Sequence, residues 1–180
     1  MRVMYRYFIF LSMFFLLGGC GFHLRGLGTD AKPLPFRTVY LEGSPNMVAH
    51  TATVFRRDDR IQIVTDSASA DAVLRMTSDR IQKDISVINR GGNVNEYLLV
   101  LTAQAQLFKN GVSYSAPFAV TVRRTYTYSD NQILGKQSEE SELRVDMYRE
   151  AAEQILRRLP YLEPSPVQPV AGVVPNAPKK

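Results

Sequence analysis

The 180-residue sequence predicts a two-layer α+β sandwich, in which a largely antiparallel sheet of four or five strands, including a long meander, carries two helices packed on one face. Three observations lead there. Asn110-Gly111 lies between two alternating apolar runs, and this dipeptide favours a two-residue hairpin turn because both central positions need positive φ. Leu143, Met147, Ala151, Ile155 and Leu159 recur every four residues, the spacing of one buried helix face. Ser44-Pro45 opens a second, shorter segment of helical period, with serine as N-cap and proline at the first helical position. One apolar sheet face and two amphipathic helices can bury each other only by stacking.

In chain order, "RTVYLEG" (37–43) reads as the first strand. Met47, Thr51, Val54 and Phe55 mark the inward side of the first helix, before Arg56-Arg57, and "IQIV" (61–64) supplies a further short strand. In "AVLRMTSDRIQKDISVIN" the apolar residues stand on even positions at Leu74 and Met76 but on odd ones at Ile81, Ile85 and Val87. A strand that changes phase contains a bulge or a break. "RGGNVN" (90–95) then turns the chain into the hairpin. If Lys109 faces Val112, the next pairs on one face are Leu107 with Tyr114, Ala105 with Ala116, Ala103 with Phe118, Leu101 with Val120 and Leu99 with Val122, all apolar. Gln106 with Ser115, Gln104 with Pro117 and Leu98 with Arg123 fall on the other, wetter face. A one-residue slip would turn the apolar set outward, so turn and pattern specify one register. Pro117 sits awkwardly in it, because proline prefers an edge or a bulge. The last helix reads from residues 138–160, acidic at its start (Glu139, Glu140, Glu142), basic at its end (Arg157, Arg158) and stopped by Pro160.

The ends of the chain are different in kind. Residues 1–19 carry Arg2 and Arg6, an apolar run from Phe8 to Leu17 and the small pair Gly18-Gly19, the layout of a secretory signal. That run falls short of the roughly 20 residues a membrane-spanning helix needs. Leu17-Gly18-Gly19-Cys20 looks like a bacterial lipobox, which makes Cys20, the only cysteine, the lipid attachment point and the new N-terminus. Each buried methylene contributes about 0.8 kcal/mol, so more than one acyl chain anchors stably. Gly21, where inner-membrane retention would place aspartate, points to the periplasmic side of the outer membrane. Removing residues 1–19 lowers Lys plus Arg from 22 to 20 against 17 acids, a net charge of +3. Such a mildly basic exported chain suits an anionic lipid or glycolipid, peptidoglycan or protein, and not nucleic acid. Residues 20–160 form the expected domain; residues 161–180, following Pro160 and rich in proline, read as a disordered or polyproline-like tail.

No catalytic pattern emerges. His23 and His50 belong to no metal-ligand or hydrolase spacing, the acids from Glu139 to Glu142 read as a solvated helix start, and no cofactor motif is present. The segments "CGFHLRG" (20–26), "NRGGNVNEYLLVLTAQAQL" (89–107) and "RRTYTYSDNQILGKQSEESELRVDMYREAAEQILRRLP" (123–160), in that order and spacing, resemble the lipopolysaccharide-assembly lipoprotein family LptE of Gram-negative bacteria.

The resemblance implies a non-catalytic role: a lipoprotein that plugs the lumen of an outer-membrane barrel of the LptD type, supports its assembly and binds lipopolysaccharide on its way to the outer leaflet. A barrel lumen is polar, so such a plug needs a broadly polar exterior. The glycolipid's phosphates call for converging cations. Arg90, in the turn before the hairpin, and Lys136, expected in the loop between the last strand and the last helix, fall at one end of the sheet, and the resemblance implies basic residues at both. Arg123 and Arg124 are expected to support them, against the alternative of ordinary solvated or barrel-facing charges. Tyr126 and Tyr128 extend the apolar register and suit core packing or contact with a barrel. A competing reading of the whole chain is a structural accessory lipoprotein of another envelope complex, without a glycolipid site.

Overall fold

The computed structural model describes residues 32–129 and 133–165. The signal segment, Cys20 and the tail beyond residue 165 therefore lie outside the described residues. β1 (Thr38–Glu42), α1 (Pro45–Phe55), β2 (Gln62–Ile63), β3 (Ala72–Ile88), β4 (Val94–Lys109), β5 (Val112–Ser113), β6 (Phe118–Thr127) and α2 (Ile133–Arg158) follow in order. The sheet has six strands, ordered β2-β1-β3-β4, with β5 and then β6 on the far side of β4. It is mixed: β1 runs parallel to both β2 and β3, whereas the β3, β4 and β6 ribbon is antiparallel throughout. The parallel pairing follows from α1, which carries the chain from the end of β1 back across the sheet.

α1 begins as the sequence predicts. The Ser44 hydroxyl accepts the Met47 amide at 3.3 Å and donates to Asp79 Oδ2 at 2.7 Å, so one side chain both caps the helix and ties it to β3. Ser44→Ala should lower stability by about 1–2 kcal/mol in urea unfolding. Ser44→Asp, a good cap elsewhere, should be worse than serine here because it sets a second carboxylate against Asp79. Met47, Thr51, Ala52, Val54 and Phe55 face inward, and α1 lies against α2.

The expected phase change in β3 is a β-bulge between Met76 and Ser78. Before it Leu74 and Met76 oppose Leu107 and Ala105; after it Asp79, Ile81, Lys83 and Ile85 oppose Ala103, Leu101, Leu99 and Tyr97. Thr77 is the extra residue, and it keeps both halves of the apolar set on the helix side. Above this inner face sit Met147, Ala151, Ala152 and Ile155 of α2, and Leu159 just after it, all fully buried. The four-residue stripe is core.

The hairpin turn is as predicted, with Asn110 and Gly111 both at positive φ and Lys109 opposite Val112. Beyond it the predicted register needs correction. Leu107 O accepts both the Tyr114 and the Ser115 amide, at 2.8 and 3.3 Å, and pairing resumes with Ala105 opposite Phe118. Leu101 therefore faces Val122, Leu99 faces Arg124 and Val100 faces Arg123, two residues further than expected. Pro117 supplies the reason, since it cannot donate to a ladder and so divides β5 from β6. The shift is even, so every side chain keeps its predicted face.

α2 also differs from expectation. It starts at Ile133, five residues before the predicted start, so its first turn carries no acid and Glu139, Glu140 and Glu142 lie within the helix. The basic last turn, Arg157 and Arg158, stands as predicted, and a 3₁₀ turn over Leu159–Tyr161 follows. The Ser165 amide then donates to Tyr114 O at 2.8 Å. β6 forms a free edge, where Arg158 Nη1 donates to Ala119 O at 2.6 Å and Arg124 Nη1 to Arg123 O at 2.9 Å.

Candidate functional site

The end of the sheet opposite the Asn110-Gly111 turn gathers the charged and aromatic residues. Thr127 pairs with Glu96 there, the Tyr128 amide bonds to Asn95 O, and residues 89–93 close the β3–β4 turn. Asn89 shapes that turn by accepting the Gly91 and Asn93 amides at 2.9 and 3.0 Å, with Gly92 at φ 83°. Arg90 at its tip is exposed and makes no ion pair or side-chain hydrogen bond among the described residues.

Lys136 is not in a loop. It lies in the first turns of α2, where its ammonium donates to Glu139 at 2.7 Å and to Thr127 at 3.2 Å, with its side chain only 15% exposed. The early helix start moves it from the expected loop and holds it beside the end of β6. Arg90 and Lys136 thus occupy the same end of the sheet, as predicted, one unpaired and one engaged. Arg123 projects from the face the helices do not cover, whereas its neighbour Arg124 turns to the helix side and pairs with Glu150. The two consecutive arginines serve opposite faces because a strand alternates.

Near Lys136 lies a half-exposed ionic group that the sequence reading did not assemble, centred on the less exposed Glu140. Glu140 accepts from Lys83 at 2.7 Å, from the Tyr126 hydroxyl at 2.5 Å and from Arg144 at 2.7 Å. Lys83 also stands 4.2 Å from the Tyr97 ring centre, and Tyr128 meets the same ring edge-on at 5.1 Å. Burial pushes the Glu140 carboxyl up, but the hydrogen bonds from Lys83, Tyr126 and Arg144 outweigh it and hold the group at about 2. Burial likewise works against the Lys83 charge, and its Glu140 and Tyr126 partners more than compensate, raising the ammonium. Tyr126, raised by burial and then by Glu140, serves the core through its ring and this network through its hydroxyl. The phase change at Thr77 was the available signal for Lys83, because it places that residue on the same side as Ile81 and Ile85.

This arrangement fixes charge but brings no nucleophile and base together. His50 stacks on Tyr148 at 5.5 Å, and no three His, Cys, Asp or Glu side chains cluster as a metal site among the described residues. Nor is any helix there long and apolar enough to cross a membrane.

A sheet buried on one face by two helices and, among the described residues, uncovered on the other defines a small two-layer α+β domain. The minor lipoprotein of Acinetobacter baumannii superposes with a TM-score of 0.63 at 22% identity, over 74% of this chain and 99% of that one. A lipoprotein B of Nitrosomonas europaea gives 0.60 at 27%, over 77% and 89%. Residues 36–159 match the Lipopolysaccharide-assembly family LptE, and the chain belongs to that family of non-enzymatic lipoproteins. It is 35% identical over 148 residues to the LPS-assembly lipoprotein LptE of Pectobacterium atrosepticum, covering 80% of this chain and 78% of the relative. The corresponding protein of Yersinia enterocolitica is 33% identical over 144 residues, 78% and 68% of the two chains.

Proposed function

We propose that the chain is anchored through Cys20 on the periplasmic side of the outer membrane, where it plugs and supports the assembly of an LptD-type barrel and binds lipopolysaccharide in transit. Residues 1–19 are the cleaved signal, residues 20–160 the working domain and residues 161–180 a tail whose start packs on that domain through Leu162 and Ser165 and whose remainder is dispensable. Arg90 and Lys136 make the first contacts with the glycolipid's phosphates, with Arg123 and Arg124 behind them. The observation that carries this reading is the placement of Arg90 and Lys136 at one end of the sheet in a chain of this family. Arg90 is ready to pair, Lys136 exchanges Glu139 for a phosphate, and Arg124 gives up Glu150 only if its neighbour Arg123 does not suffice.

The test is a pull-down of the tagged, lipidated chain from a detergent extract of envelopes. A large barrel protein in near-equal amount, together with lipopolysaccharide, is the expected eluate. The double variant Arg90→Asp, Lys136→Asp should retain the barrel and lose at least about tenfold of the glycolipid, or about 1.4 kcal/mol. Recovery of other envelope proteins without a barrel would instead favour the scaffold reading.

A further inference from the structure

The uncovered face of the sheet has an organisation of its own. On β4, Leu98 and Val100 stand on this face. Val100 is flanked by Gln82 of β3 and Arg123 of β6, and its neighbour Thr102 by Arg80 and Thr121. An arginine therefore lines each side of an apolar strip. Two further register shifts at the end of β3 prolong that strip: Val87 pairs with Glu96 and Ile88 with Val94, β4 positions of the same parity as Leu98 and Val100. Val87 and Ile88 are 44% and 57% exposed, whereas the inner face buries its aliphatic residues in the middle of the sheet and leaves only its end, at Ile85, 54% exposed. Bulges here convert strand alternation into a one-sided patch.

Arg80, Arg90 and Arg123 share a second property. None of their side chains has an ion pair or hydrogen bond among the described residues, while Arg75, Arg124, Arg144 and Arg149 are all paired. Asp84 and Glu96 also lie on this face, the latter bonded by Ser86 at 2.7 Å, so cations remain in excess. From Arg80 to Ile88 the strip runs about 25 Å at strand rise. That is too long for one phosphate and too apolar for a sugar alone.

We propose that this bare face is an extended seat for the same glycolipid: its acyl chains lie along Leu98, Val100, Val87 and Ile88, and its phosphates bind Arg80 and Arg123, with Arg90 at the tip. The inference rests on the proposed glycolipid function and adds Arg80 and the apolar strip to it. An amphiphile satisfies both features at once, since guanidinium groups take phosphate bidentately and exposed aliphatic side chains gain by covering. The polar lumen of a barrel offers the strip no apolar partner.

Photoreactive residues at Val87 and Val100 test it in the full-length chain in intact envelopes, with Val145, exposed on α2, as the control position and Gln137, beside Lys136, as a reporter of the original site. Irradiation should yield lipopolysaccharide adducts at Val87 and Val100 and none at Val145. Arg80→Ala with Arg123→Ala should cut the Val100 adduct at least fivefold, and the paired lysine variants should keep most of it. Capture of only protein or phospholipid at Val87 and Val100, while Gln137 still captures lipopolysaccharide, overturns the seat and leaves the proposed function standing. No glycolipid at any position overturns both.

Discussion

Gly43→Ala should cost about 2–4 kcal/mol, more than a methyl group added to any other glycine among the described residues. Gly43 closes β1 at φ 151°, where a side chain is strained, and an added Cβ would stand 2.8 Å from both the Cβ and the carbonyl oxygen of Met76. Strain of this kind costs roughly 1–3 kcal/mol and overpacking a similar amount. Neither atom can step aside, since Met76 is the last residue before the bulge in β3 and its side chain is buried. Gly92→Ala separates the two causes: φ is 83° there, but nothing lies within 4 Å of the new methyl. Urea midpoints should therefore fall for both variants and at least twice as far for Gly43→Ala. Equal losses would refute close packing against Met76 and leave strain alone.

Glu140→Gln should remove on the order of 2 kcal/mol at neutral pH and, with it, part of the domain's acid sensitivity. The folded-state pKa of Glu140, about 2, lies below the ordinary 4.5. A depressed carboxyl contributes stability that is complete above the unfolded value and is lost as pH falls through the folded one. The window is thus about pH 4.5 down to 2. Tyr126 and Lys83 donate to one carboxylate oxygen and Arg144 to the other, so glutamine, with a single acceptor oxygen, keeps only one of these sets and leaves the Lys83 ammonium without its counter-charge, under two tyrosine rings. Unfolding free energies at pH 7 and pH 3 should converge between the two proteins. A constant difference between them would show that Glu140 contributes packing and not charge.

The elements decided by local chemistry were legible in the sequence. Ser44-Pro45 starts a helix, Asn110-Gly111 makes a turn and the phase change after Met76 marks a bulge, because each depends on a few adjacent residues. The parallel placement of β1 was not legible, since nothing local states which strand a returning chain will join. The two-residue shift at Tyr114 and Ser115 was signalled by Pro117 without its size, which depends on how Leu107 O shares two amides. Lys136 is expected in the loop between the last strand and the last helix. The helix nevertheless begins at Ile133, and Lys136 gains Thr127 and Glu139 by lying in it. Of the candidate site, the common end of Arg90 and Lys136 could be derived from the topology of a meander. The Lys83–Glu140 and Arg124–Glu150 pairs could not, because they join residues 57 and 26 positions apart.

The two guanidinium groups on the margin of β6 bear on how the chain behaves before it meets any companion. An unpaired strand of ten residues is ordinarily an invitation for a second copy to stack alongside it. Here Arg158 and Arg124 occupy two of the outward carbonyls and set positive charge along the route by which another backbone would approach. Two copies brought side by side would have to expel four arginines and place like charges together. The margin of β6 is thereby closed to a second copy, and the domain does not lengthen its own sheet.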